Sequence, residues 1–258
     1  QPFPVVTHPG VRSDPDISGD FIVWNEQNLA APCGPVPPGT LILNCPGDIR
    51  GKNLAIGEEL TIAATAASEW GAAISSPWAV WMSSQIVSLP DGGKTIMTTL
   101  MARDLCTQAE PISLYQSQNR LGSPVIDGDR IVWVEEFSGE SGRAHVRLLM
   151  QQIGAPSPSV IVEGEEIFPF GYDIGGDLVI YTSGTQDTIR VVNIRTGWTR
   201  TIANAISPTT DGRYIFWVER WPFQESMLWA RSDLWGYDTV TDVTIPVMVD
   251  MGSNEQPK

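Results

Sequence analysis

The chain has 258 residues, of which 42% are apolar and 18% are charged, and its 30 acidic and 16 basic side chains give a net charge of −14. This charge argues against the basic surface that nucleic-acid binding requires and against docking on anionic lipid. Solubility explains the acidic excess most simply, and a surface for a cation or a basic partner is the alternative. No run approaches the roughly 18 apolar residues of a membrane span, so none is predicted.

A short phrase recurs five times along the chain, in which a small turn precedes three β-favouring residues and an aromatic ring. Its copies occupy residues 17–24, 74–81, 126–133, 174–181 and 210–217. The phrase has a constant length, although the intervals between copies are long and uneven. Constant units separated by variable loops are typical of repeat architectures, so we predict five structural repeats.

Each repeat contains the pattern of four strands. The turn of the phrase separates a first strand from a second, and β-branched and aromatic residues favour the second. Third strands are predicted at residues 48–54, 99–105, 146–150, 189–194 and 233–238, and fourth strands at 59–63, 111–114, 159–162, 199–202 and 243–245. Four antiparallel strands per repeat, with no helical period, predict an all-β fold: a five-bladed β-propeller of four-stranded antiparallel blades.

Segments of the first and fourth repeats resemble a known family. They are ISGDFIVW (17–24), DIRGKNLAIGEELTIA (48–63), IGGDLVIYTSG (174–184) and TIRVVNIRTGWTRTIA (188–203), which are similar to the TolB-type propeller repeat, a relative of WD40-like blades. The resemblance covers essentially the whole chain and implies a propeller that presents a binding surface and sometimes accompanies a peptidase. The sequence contains no G-x-S-x-G nucleophile elbow, so the resemblance does not extend to a hydrolase half.

We expect residues 1–258 to form a single propeller domain. The blades are predicted at approximately 14–66, 70–116, 122–163, 170–204 and 206–250. Residues 1–8 are predicted to add a closing strand to the last blade, because closure removes exposed sheet edges. The alternative is that the chain forms part of a ring of six or more blades.

The long connections predict which face of the propeller binds a partner. They join second to third strands at residues 27–47, 84–98, 136–144 and 220–232, whereas the turns at the opposite ends of the strands are short. Long loops carry function more often than short ones. The aromatic side chains expected on this face, as a platform for a protein partner or an assembly subunit, are Trp221, Phe223, Trp229, Trp70 and Phe168. The alternative is that these loops fold over their own small apolar clusters.

Carboxylates recur at two positions of the repeat. Glu26, Glu135 and Glu219 follow the aromatic residue of their repeats by two positions, and Asp16 and Asp173 share a position on the first strand. They are weak candidates for catalysis, since glycosidases use pairs of carboxylates, and a polysaccharide is therefore an alternative ligand. Carboxylate oxygens could also hold Ca²⁺, and no other metal or cofactor is predicted. The simplest interpretation is that they are solvated residues at turns and strand ends.

The three cysteines bear on the cellular location. Cys33 and Cys45 flank a proline-rich stretch, and we predict a disulfide between them, with two free buried thiols as the alternative. A disulfide implies an oxidising compartment, so the protein is predicted to be extracytoplasmic: secreted, periplasmic or at the cell surface. Cys106 is predicted to be unpaired and buried. The combined expectation is a non-catalytic binding or scaffold propeller.

Overall fold

The computed structural model describes residues 4–27, 47–107, 109–138, 144–164, 167–183, 188–220 and 232–248. In these ranges the regular secondary structure consists of β-strands, with no helix that could span a membrane. The chain divides into two compact units, residues 1–138 with 148–160 and residues 139–147 with 161–258.

Consecutive strands build each of five sheets. In chain order the strands are β1 (Arg12–Ser18), β2 (Phe21–Gln27), β3 (Gly47–Asn53), β4 (Glu58–Ala63), β5 (Ser68–Ser75), β6 (Trp78–Ser88), β7 (Lys94–Asp104), β8 (Ile112–Ser117), β9 (Arg120–Leu121), β10 (Val125–Asp127), β11 (Arg130–Ser138), β12 (Ala144–Gln152), β13 (Ser159–Gly164), β14 (Ile167–Gly175), β15 (Leu178–Ser183), β16 (Thr188–Asn193), β17 (Thr199–Ile202), β18 (Ala205–Thr210), β19 (Tyr214–Arg220), β20 (Ser232–Asp238) and β21 (Val243–Met248). The sheets are β1–β4, β5–β8, β10–β13 with β9 beside β11, β14–β17 and β18–β21, which we number as blades 1 to 5. The fold is the predicted five-bladed β-propeller of four-stranded antiparallel blades.

The recurring phrase forms the turn between the first and second strands of every blade. Gly19 adopts a φ of 57° in the first of these turns, a left-handed conformation that glycine accepts without steric cost. The N–H of the residue after each third strand donates to the carbonyl of this turn, in the pairs Leu54–Asp20 (2.7 Å), Leu105–Pro77 (2.9 Å), Ile153–Asp129 (2.8 Å), Ile194–Asp177 (2.8 Å) and Thr239–Arg213 (3.0 Å). One sequence phrase therefore places one backbone contact in all five blades.

In three copies of the phrase, the aromatic residue at its end belongs to a core cluster shared by neighbouring blades. Trp81 of blade 2 packs on Val23 and Ile49 of blade 1. In the same way Trp133 packs in a cluster with residues of blade 2, and Trp217 packs in a cluster with residues of blade 4. Because burying a large apolar side chain contributes about 1.5–3 kcal/mol, these rings hold blades 2, 3 and 5 to the blade before each of them.

The first described residues, 4–10, form no strand. They lie on blade 1, where the Lys52 ammonium donates to the Val5 carbonyl at 2.7 Å and the Arg12 guanidinium donates to the His8 carbonyl at 3.1 Å. The predicted role of residues 1–8 as a closing strand stays a prediction.

The structure corrects one prediction about the cysteines, the burial of Cys106. Cys106 is unpaired as predicted, but it is exposed rather than buried. It lies in the turn after β7, where its N–H donates to the Asp104 carboxylate at 2.8 Å, and this turn holds the thiol outside the sheet core. Cys33 and Cys45 lie outside the described residues, so the disulfide stays a prediction.

Candidate functional site

Two of the candidate carboxylates join neighbouring blades. Asp16 Oδ2 on blade 1 accepts the Ile74 N–H of blade 2 at 2.8 Å. Asp173 Oδ2 on blade 4 accepts the Thr210 N–H of blade 5 at 2.9 Å and the Thr209 hydroxyl at 2.7 Å. Ile74 and Thr210 are each the first residue of a copy of the phrase, so the same contact occurs in two pairs of neighbouring blades. A carboxylate that accepts a backbone N–H from the next blade favours a structural role for both residues.

Glu135 is the most deeply buried of the carboxylates predicted as catalytic. Its side chain is 1% exposed on β11 of blade 3. The Tyr115 hydroxyl donates to Oε2 at 2.8 Å, and the Ser117 hydroxyl and the Asn119 amide donate to Oε1. The donors belong to β8 of blade 2 and the turn after it. Because burial shields both oxygens and three donors occupy them, this arrangement favours a link between blades over contact with a substrate.

Glu26 lies in a network of charges on blade 1. Its Oε1 is 2.8 Å from Arg12 Nη2 and 3.9 Å from His8 Nδ1, and its Oε2 is 3.6 Å from Arg50 Nε. Arg50 also pairs with Asp48 at 3.0 Å. A cavity of about 530 Å³ opens beside the network and is lined in part by His8, Trp24, Glu26, Asp48, Arg50 and Glu59. The cavity is polar, with both signs of charge in its wall.

Glu219, the third glutamate of this repeat position, lies on β19 of blade 5. Glu219 lies opposite Asp233 of β20 in the antiparallel ladder, and Asp233 is buried at 1% exposure.

Among the described residues, no three side chains of His, Cys, Asp or Glu gather in a group that could hold a metal ion. Calcium binding stays a prediction.

Sequence reasoning missed a buried carboxylate on β5. Glu69 is 2% exposed, and the Thr65 hydroxyl donates to its Oε1. Burial raises the pKa of Glu69, the Thr65 hydrogen bond opposes that shift, and the nearby Asp48 carboxylate adds to it. Glu69 lies outside the recurring phrase, so comparison of the repeats gave no signal that it would be buried.

The predicted loop at residues 84–98 is largely a hairpin. β6 and β7 pair continuously from Trp78–Asp104 to Ser88–Lys94, and Leu89 N–H donates to the Gly93 carbonyl at 2.8 Å across the turn. β-Favouring residues such as Ile86, Val87 and Ile96 extend the ladder beyond the neighbouring strands of the blade. Residues 85–97 therefore form a two-stranded ribbon, which we call the blade 2 hairpin.

The blade 2 hairpin carries one exposed aliphatic side chain, that of Ile86, next to a polar base. Ile86 is 67% exposed, and its cross-strand neighbour is Ile96. Below this pair, the Ser84 and Thr98 hydroxyls are 3.0 Å apart, and the Trp70 indole N–H donates to Ser84 at 3.1 Å. Trp70 thus supports the base of the hairpin and is half-buried against the core of blades 2 and 3.

The other aromatic residues predicted to bind are Trp221, Phe223, Trp229 and Phe168. Trp221, Phe223 and Trp229 lie outside the described residues. Phe168 lies within β14 of blade 4. Of the four long connections, the one at residues 84–98 is described in full, and we take the blade 2 hairpin as the candidate binding surface.

Comparison with known proteins identifies the fold. No family model matches the chain, and no curated protein matches it. Among solved structures, it is similar to an acylaminoacyl peptidase from Pyrococcus horikoshii, with a TM-score of 0.61 and 13% identity over 94% of this chain and 40% of the peptidase. The chain thus spans about two fifths of that enzyme's length.

Two further solved structures are similar over most of this chain and over most of their own length. A putative TolB from Agrobacterium tumefaciens gives a TM-score of 0.58 and 12% identity over 94% of this chain and 82% of that one. A nidogen/laminin complex gives a TM-score of 0.54 and 10% identity over 92% of this chain and 79% of the matched one. Identities this low establish the fold alone, so the chain shares the propeller fold of TolB and these other proteins.

Proposed function

We propose that this propeller is a non-catalytic binding module that recognises a protein partner through its long connections. The observation that carries the proposal is the blade 2 hairpin, which extends past its neighbouring strands and holds Ile86 67% exposed. An exposed aliphatic residue on a projecting ribbon gains most from burial when a partner covers it.

Two further observations support binding over catalysis. Asp16, Asp173 and Glu135 accept hydrogen bonds from neighbouring blades, which occupies the oxygens that a reaction would need. Among the similar structures, the nidogen structure is a complex with another protein, laminin. That comparison concerns another protein, and it favours a protein as the ligand class for this one.

The proposed location is extracytoplasmic. It depends on the predicted disulfide between Cys33 and Cys45, because such bonds persist in oxidising compartments.

The proposal is tested by shortening the hairpin. Replacing residues 86–96 with Asn-Gly joins Gln85 to Met97, which are already paired, through a turn suited to two-residue hairpins. The matched control is Ile56→Ser. Ile56 is 68% exposed in the turn between β3 and β4 of blade 1, whereas the hairpin joins the second and third strands of its blade at the opposite strand ends. Both proteins and the intact chain are used to capture partners from native extract. Loss of a partner from the shortened variant alone is expected, and equal recovery by all three would contradict the proposal.

The cavity beside Glu26 favours a second candidate function, the binding of a sugar or polysaccharide. About 530 Å³ with Trp24, Glu26 and Arg50 in its wall provides an aromatic edge and polar groups of both signs. Titration with an oligosaccharide panel tests it. Binding that is lost in Glu26→Gln and kept in Glu136→Gln, a change on blade 3, would support this function, and absence of binding across the panel would contradict it.

A further inference from the structure

We propose that the outer edge of β6 in the blade 2 hairpin, residues 85–88, receives an extended strand of the partner by backbone pairing. This inference rests on the proposed function and specifies how the partner is held. Strand addition to an exposed sheet edge is a general mode of peptide recognition, in which main-chain hydrogen bonds provide affinity.

The edge is open because the neighbouring strands stop short. On one side of the blade, β5 pairs with β6 as far as Ser68–Ser84. On the other side, β8 pairs with β7 as far as Thr98–Ser117. Within the part of the chain that the structure describes, no strand continues either ladder along the hairpin. Residues 85–88 and 94–97 thus pair with each other and present their outer edges.

The pairing pattern identifies which backbone groups point outward. In an antiparallel ladder, residue pairs alternate between those that exchange hydrogen bonds and those whose N–H and C=O groups point away from the partner strand. Leu89 N–H donates to the Gly93 carbonyl, so this pair bonds inward. The alternation then directs the N–H and C=O groups of Ser88 and Ile86 outward. Ser84 has the same position in this alternation, and it pairs with Ser68 of β5 on the outward side. An added strand can therefore make up to four backbone hydrogen bonds with β6.

The two edges of the hairpin differ in how they are protected. Proteins guard free edges with lysine, proline or bulges, which discourage pairing with other chains. The β7 edge carries Lys94 at an outward position. The β6 edge reads Gln85, Ile86, Val87 and Ser88, with no charge and no proline, and no register shift interrupts its pairing with β7. The unguarded edge is the one that we assign to the partner.

Charge and side-chain chemistry define the occupant. The exposed Ile86 favours an apolar residue at an adjacent position of the added strand, with alternate residues facing solvent. The whole chain carries a net charge of −14, which favours a basic partner segment. The occupant is therefore an extended protein segment of alternating apolar and polar residues with basic flanks.

The probe is a short synthetic peptide of alternating valine and threonine flanked by lysines, titrated against the full chain. Its partner probe is the same peptide with N-methyl groups on alternate amides, which removes the donors of one edge. Ile86→Pro deletes an outward N–H without breaking the bonds to β7, and Ile86→Lys keeps the N–H but adds the charge that guards natural edges. Asp91→Asn is the matched control, because it changes the net charge by the same amount as Ile86→Lys and retains an acceptor for Gly93 N–H.

We expect the unmodified peptide to bind, with affinity at least about tenfold weaker for both Ile86 variants and within about twofold for Asp91→Asn. Amide exchange at Ile86 and Ser88 should slow when the peptide is bound. Equal binding of the N-methylated peptide, or no binding at up to about 1 mM, would overturn the inference. If the shortened hairpin loses its native partner while Ile86→Pro retains it, side chains hold the partner, so strand addition is wrong and the proposed function stands.

Discussion

Glu135→Gln tests whether the buried glutamate of blade 3 joins blades or takes part in a reaction. The carboxylate accepts hydrogen bonds from Tyr115, Ser117 and Asn119 while 1% exposed. Hydrogen bonds to charged acceptors contribute about 1.5–3 kcal/mol and neutral ones about 0.5–1.5 kcal/mol, so the substitution weakens each bond by about 1 kcal/mol. We expect the free energy of unfolding to fall by about 3 kcal/mol and the melting temperature by about 6–12 °C.

The neighbouring residue provides the control for this experiment. Glu136 is partly exposed and pairs with Arg120 at 3.4 Å, so Glu136→Gln should cost about 0–1 kcal/mol. Urea unfolding of the intact chain and both variants measures the difference. If Glu135→Gln unfolds at the same urea concentration as Glu136→Gln, the link between blades 2 and 3 does not depend on this carboxylate, and the structural interpretation is wrong.

Glu69→Gln should stabilise the protein at pH 7, because the raised pKa of Glu69 means that the folded state disfavours its ionised form; the gain should vanish below the ordinary value of 4.5, and a gain independent of pH would contradict this. Alkylation of Cys33 and Cys45 without prior reduction should fail if they form the predicted disulfide, and mass mapping that finds both alkylated would remove the argument for an extracytoplasmic location. Deletion of residues 1–8 should lower the melting temperature if they close the propeller, and an unchanged value would exclude that role.

The strands could be predicted because every copy of the phrase contains the same combination of residue types. Each copy combines a glycine or proline turn with β-branched residues and an aromatic ring, so turn, strand and interblade core coincide in sequence. Trp81 and Trp133, which end two copies of the phrase, are 2% and 0% exposed.

The side-chain environments could not be predicted, because they depend on contacts between distant residues. Glu135 is buried by donors that lie 16 to 20 positions earlier, on the previous blade. The sequence predicts a long connection at residues 84–98, whereas its β-favouring residues Ile86, Val87 and Ile96 pair across two strands and extend the sheet. Cys106 was assigned to the core from its residue type, whereas the turn after β7 places it at the surface.

Site-specific photocrosslinking tests the binding surface most directly. A benzophenone amino acid is placed at Ile86 on the blade 2 hairpin or at Ile56 in the opposite turn, two positions with exposures of 67% and 68%. In native extract, the account predicts a discrete crosslinked protein adduct at position 86 and none at position 56. The same adducts at both positions, or an adduct at position 56 alone, would contradict the claim that this propeller binds its partner through the blade 2 hairpin.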